Sequence, residues 1–172
     1  MKTRMKNFKN LLLIAVFTLG FVSMTNAQKV GHVNFEKLIA EMPETQTLKL
    51  EMEKLGKTYQ DEISGMEKTI EATRQKYVAE SKTQTNETND KRVQELQQEA
   101  AKIEQARKFA YQDMQKRQND GLQPIIEKAQ KAIEEVAASK SVLYVLDASV
   151  GKGLLVQKGE DLFGAVKTKL GF

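Results

Sequence analysis

From Leu48 to Tyr77 the apolar and small side chains return every three or four residues: Leu48, Met52, Leu55, Tyr59, Ile63, Met66, Ile70, Thr73 and Tyr77. Charged and polar residues fill the gaps. The spacing follows the ~3.6-residue turn of an α-helix, so the stretch predicts one long amphipathic helix. A helix of this length cannot be curled into a small core. It has to lie against a partner of similar reach.

The next segments supply that partner. "AESKTQTNETND", Ala79 to Asp90, has no large apolar side chain and many Thr and Asn, which compete for backbone hydrogen bonds and favour turns. The expectation is a reversal near 83–89, with Asn89 or Asp90 capping a second helix. Beyond it Val93, Leu96, Ala100, Ile103, Ala106, Ala110 and Met114 form a narrow stripe. Such a stripe suits packing on one partner helix rather than in a compact bundle, whose helices need a wider apolar face. Two antiparallel arms of about 40 residues would reach about 60 Å at ~1.5 Å per residue. Gly121 and Pro124 are expected to interrupt the second arm, since Pro removes a helical hydrogen bond. Ile125, Ile126, Ala129, Ile133 and Val136 then resume with a richer apolar face.

The two ends read differently. "MKTRMKNFKN" carries four basic residues and no acid, and the apolar run Leu11 to Val22 and small side chains up to Ala27 follow. This is the layout of a secretory signal peptide, residues 1–27, cleaved after Ala27. The run is too short for a membrane span of about 20 residues. The chain has 27 Lys+Arg and 23 Asp+Glu. Without the four basic residues of 1–27, both signs stand at 23. A nucleic-acid partner is therefore excluded, because that footprint needs a basic excess. The chain lacks cysteine, so export brings no disulfides.

Val30, Val33 and Phe35 suggest a short first strand. "SVLYVLD", with Val142, Tyr144 and Leu146, is a continuous apolar run of the kind covered on both faces. "LLVQK", with Leu154 and Val156, reads as a further strand, and "EDLFGAVKTKL" as a closing helix. The fold class is α+β: a long helical hairpin at 44–135 on a small β-strand body formed by 28–43 and 136–172. A body this small is marginal alone and has open strand edges. Both features point to self-association through Val30, Val33, Phe35, Val142, Tyr144, Leu146, Leu154 and Val156.

This order of elements, with "QPIIEKAQKAIEEVA" and "YVLDAS", resembles the Skp/OmpH family of periplasmic chaperones. The resemblance spans most of Lys29 to Leu170 and is most specific from Pro124 to Ser149. It implies a homotrimer with a β-barrel-like body and three helical arms around a cavity. It also implies ATP-independent holding of unfolded outer-membrane proteins in the periplasm. The helix before "YVLDAS" ends in "SKS", Ser139 to Ser141, without the glycine usual at such a position.

No catalytic group, cofactor or metal site is expected. Asp147 ends an apolar run with Ser149 two residues on, but no base or nucleophile pattern accompanies them. The expected role of Asp147 is to accept backbone N–H bonds in the turn that follows. His32 is the sole histidine and reads as a body residue. Gly159 and Gly164 match G-x-x-x-x-G, but Ala165 and Val166 stand where a phosphate loop needs Lys and Ser/Thr. Met52, Met66 and Met114, and with them Met42, are flexible thioethers suited to varied apolar clients; the plainer reading at helical spacing is packing. Lys91, Arg92, Lys102, Arg107, Lys108, Lys116 and Arg117 outnumber the acids along the second arm. They read as a solvated face or, more sharply, as a weak contact with acidic clients or a membrane surface.

The functional expectation is a secreted holdase chaperone. Its rival is a structural envelope scaffold or spacer whose arm pairs with a fixed partner. A fixed partner needs a continuous apolar stripe left exposed once the two helices have packed; a holdase needs scattered apolar side chains.

Overall fold

The computed structural model describes residues 28–172. The expected signal peptide, 1–27, lies outside them. Strand β1 (Val30–Val33) leads into helix α1 (Phe35–Glu41) and the long α2 (Pro43–Glu80). A 3₁₀ turn (Ser81–Thr83) joins it to α3 (Asn86–Ser139). Strands β2 (Tyr144–Asp147) and β3 (Glu160–Asp161) and helix α4 (Phe163–Leu170) follow. The protein is mostly helical, with long helices and a small sheet.

Local chemistry sets the helix ends. Asn34 Oδ1 accepts the Lys37 N–H at 2.8 Å and starts α1. Phe35 is therefore the first helical residue and not part of the strand, as its apolar character suggested. Pro43 opens α2, where its missing N–H would be unpaired in any case. Thr85, not Asn89 or Asp90, caps α3 by accepting the Thr88 N–H at 3.2 Å. Asn89 instead donates from Nδ2 to the Ser81 carbonyl across the turn, at 3.0 Å.

Helix α3 runs unbroken through Gly121 and Pro124 over 54 residues. The expected interruption does not occur, for two reasons. Proline removes one hydrogen bond while the turns on both sides keep theirs. Gly121 serves packing: a Cβ there would lie 2.5 Å from Leu48 Cδ1, so its absence lets α2 come close. The pair runs side by side in opposite directions. Its seam carries Tyr59 with Asp113, Glu67 with Arg107, Tyr77 with Glu95, and Glu44 with Lys128.

The three strands are parallel in the order β2-β1-β3. One face of the sheet meets the helices. Val33, Leu38, Met42, Ile125, Ala129, Val136, Leu162 and Val166 form the buried core there. Two strand expectations are corrected. Val142 is buried but precedes β2, and β2 is not covered on both faces within one chain, because Tyr144 and Leu146 are exposed. Leu154–Val156 form no strand among the described residues. Gly151 and Gly153 adopt left-handed φ values of 83° and 85°, and the place beside β1 is taken by Glu160–Asp161.

Candidate functional site

Side chains alternate across a strand, so Gly31 and Val33 face the helices while Val30 and His32 face away. The register places Tyr144 beside Val30 and Leu146 beside His32. The outward face of the sheet is thus Val30, His32, Tyr144 and Leu146, with Asp161 of β3 in register beside His32. Its apolar residues are open: Tyr144 is 59% exposed and Leu146 44%. Leu143 beside it and Val150, Leu155 and Val156 on the following connection are exposed too, Leu155 at 94%. Leu154 is half-buried on that connection. Within this apolar area His32 is only 8% exposed, and its Nδ1 finds no hydrogen-bond partner among the described residues. Of the residues expected to form the body surface, Val30, Tyr144, Leu146 and Val156 lie open. Val33 and Val142 lie in the core, and Phe35 packs against it.

Asp147 and Ser149 do structural work at the other end of β2. Asp147 Oδ1 accepts from the Ser149 hydroxyl at 2.6 Å, the Ser149 N–H at 2.9 Å and the Phe35 N–H at 3.3 Å. Ser149 Oγ in turn accepts the Glu36 N–H at 3.0 Å. With Asn34 on Lys37, the first three amides of α1 are each paired, two of them by side chains more than 100 residues away in sequence. Burial raises the Asp147 carboxyl, but the bonds from Ser149 and Phe35 outweigh it and hold the group below its ordinary value. The expected turn role of Asp147 is seen here. The capping of α1 was not anticipated, although "NFEK" after a strand carries an N-cap signal.

The helical pair has a polar seam with apolar patches between. Asp113 accepts from Tyr59 at 2.7 Å and from Arg117 at 2.6 Å, and these two bonds lower its pKa. Arg92 lies over the Tyr77 ring at 4.4 Å and pairs with Glu80. Met66, Ile70, Leu96 and Ile103 line a gap of about 430 Å³ between the helices. Of the methionines weighed from sequence, Met42 is fully buried. Met52, Met66 and Met114 are half-buried along the pair, with Met114 Cε facing Gly56. Large apolar side chains that do reach solvent on the two helices are Leu50, Val78, Val93, Phe109 and Tyr111. Val93, placed by its spacing in the seam, is among them.

Among the described residues no group of three His, Cys, Asp or Glu could hold a metal ion, and no helix is long and apolar enough to cross a membrane. The family model described as outer membrane protein (OmpH-like) matches residues 29–170. The chain belongs to the OmpH-like family. None of the curated proteins is a match for this sequence. Membership supports a chaperone-type role associated with the periplasm and outer membrane, in a family that is not enzymatic. The match spans the strands and both long helices, so the OmpH-like assignment covers the small sheet and the helical pair alike.

Proposed function

We propose that this OmpH-like chain is an ATP-independent periplasmic holdase that binds unfolded outer-membrane proteins and keeps them soluble in transit. In this reading residues 1–27 are a cleaved signal peptide. Residues 28–43 and 136–172 form the oligomerisation body, and 44–135 form a helical hairpin arm with its tip near 83–89. The observation that carries the reading is the distribution of exposed apolar side chains on the two long helices. Leu50, Val78, Val93, Phe109 and Tyr111 are scattered along them rather than joined in one stripe. Scattered contacts suit clients without a fixed shape, and burial of client apolar surface supplies the driving force. A scaffold with one fixed partner would need a continuous exposed stripe.

Self-association is supported by the open sheet face; that it takes the form of a homotrimer is what the family resemblance implies. Val30, Tyr144 and Leu146 are apolar residues that one chain leaves in water, next to an exposed connection carrying Leu155 and Val156. Client contacts on the arms include the accessible parts of Met52, Met66 and Met114, whose flexible side chains adapt to varied partners. The deciding experiment dilutes an unfolded outer-membrane barrel protein from denaturant with the purified chain and without ATP. Light scattering should stay low at stoichiometric amounts. Aggregation as fast as in buffer alone would overturn the holdase reading.

A further inference from the structure

We propose that the mature chain begins with a pyroglutamate at position 28, formed when the N-terminus left by cleavage closes on the Gln28 side chain. The inference rests on the signal-peptide reading above and adds a modification that the cut makes possible. Ala27 and Gln28 flank the expected cut. Cleavage gives Gln28 a free α-amine, and glutamine carries its neutral amide at the distance along its own chain that closes an unstrained ring with that amine.

The step balances within the one residue. The amine nitrogen attacks the side-chain carbonyl carbon Cδ. The N–Cδ bond forms, the Cδ–Nε2 bond breaks, and Nε2 leaves as ammonia with the proton that the amine gives up. Nothing is oxidised or reduced, and no co-reactant is consumed. An α-amine titrates near pH ~8, so at neutral pH part of it is the neutral nucleophile. Because both groups sit on one residue, proximity replaces an encounter.

The fold leaves this residue free to react. Gln28 is exposed and lies outside β1, which begins at Val30. The sheet takes hold one residue later, where the Lys29 carbonyl accepts the Leu143 N–H at 2.9 Å. Ring closure at Gln28 therefore breaks no hydrogen bond of the strand ladder. It also removes a charge from a crowded place. Lys29 Nζ and Lys140 Nζ stand 3.3 Å and 2.7 Å from Glu160, so two cations already share one carboxylate. An α-ammonium on Gln28 would bring a third positive charge to this patch, two residues from Val30 of the open sheet face. The lactam is neutral, and it offers no free amine to an aminopeptidase trimming toward β1.

The test expresses residues 1–172 and recovers the protein from the cell envelope. Its intact mass should equal residues 28–172 less one ammonia. Stepwise sequencing from the N-terminus should be blocked. Pyroglutamyl aminopeptidase, applied to the denatured chain, should open it to a sequence that starts at Lys29. Gln28→Ala, which keeps a small side chain at the cut and cannot cyclise, should show its full mass and an open N-terminus. A wild-type chain that starts at Gln28, keeps its ammonia and sequences freely overturns the lactam and leaves the signal-peptide reading standing. A Gln28→Ala chain that is blocked in the same way assigns the block to another group and also overturns it. Retention of residues 1–27, or a cut elsewhere, overturns both readings.

Discussion

Leu48 of α2 occupies the space that a side chain at position 121 of α3 would need. A Cβ on Gly121 would stand 2.5 Å from Leu48 Cδ1, 3.0 Å from Cδ2 and 3.3 Å from Cγ, so the whole isobutyl group would have to move. Two effects compete in Gly121→Ala. Alanine favours the helix by about 1 kcal/mol over glycine, while overpacking a close contact costs roughly 1–3 kcal/mol. The clash should win, and Gly121→Ala should lower the urea midpoint. In a Leu48→Ala background the same change should raise it. A stabilised single variant would refute the close-packing role of Gly121.

The same contact shows why local rules misjudged this region. Gly121 and Pro124 are helix breakers by propensity, yet α3 passes through both because non-local contacts of Leu48, Ile125 and Ala129 hold it. What was legible came from period and local chemistry: the Leu48–Tyr77 helix, the polar turn after it, and Asp147 as a strand-end acceptor. What was not legible depended on pairing. "LLVQK" has the better strand composition, but β1 pairs with Glu160–Asp161, and the positive φ of Gly151 and Gly153 turns the chain away first. Phe35 was misread because a single N-cap bond from Asn34 outweighs β propensity. Self-association was legible, but not which residues one chain leaves open, Tyr144 and Leu146 against buried Val142, since the strand run looks the same whether its cover comes from the chain itself or from a second copy.

The Asp147–Ser149 cap should matter to stability and to its acid limit. Ser149→Ala removes the acceptor of the part-buried Glu36 N–H bond and should cost about 0.5–1.5 kcal/mol. Asp147 is held below its ordinary value by its hydrogen bonds. Its contribution is thus full above the unfolded value of ~3.9 and is lost as pH falls through the lower folded value. Between pH ~4 and ~2 the wild type should lose more stability than Asp147→Asn, measured by thermal melts. Parallel losses would refute the capping role.

Ser141, two residues past the end of α3, has a left-handed φ of 55°, the only non-glycine with positive φ among the described residues. An L side chain there costs roughly 1–2 kcal/mol, partly offset by the greater freedom glycine has when unfolded. Ser141→Gly should therefore stabilise by about 0.5–1 kcal/mol, read as a higher denaturant midpoint with unchanged slope. A lower midpoint would mean the hydroxyl makes a compensating bond.

Leu146 is 44% exposed in a single chain and belongs to the face proposed to bind a second copy. Leu146→Asp can keep its charge in water while the chain is alone but must bury it on assembly, which is strongly unfavourable. Sedimentation should give a folded single chain, with helix content by circular dichroism unchanged. An oligomer of wild-type mass would remove this face from the interface.

The stability of the long helices should be graded along their length. Near the turn, residues 79–90 bring no large apolar side chain, and the contacts there are polar: Asn89 to Ser81, Arg92 to Glu80, Tyr77 to Glu95. Two of these are hydrogen bonds and one is a part-buried ion pair, and they bury little apolar surface. At the other end Leu48, Ile125, Ala129 and Val136 join the buried core. Local opening follows buried apolar contact, and hydrogen exchange measures it residue by residue. Amides of 81–89 should exchange fastest, with protection rising toward Ile125 and greatest in β1 and its bonds to β2. An unfolded outer-membrane barrel protein should then slow exchange along both α2 and α3, over many residues and by modest factors, because each dispersed contact carries its own ordering cost. A turn as protected as β1 would remove the flexibility the holdase reading needs. A client that leaves exchange in both helices unchanged would favour a fixed-partner scaffold instead.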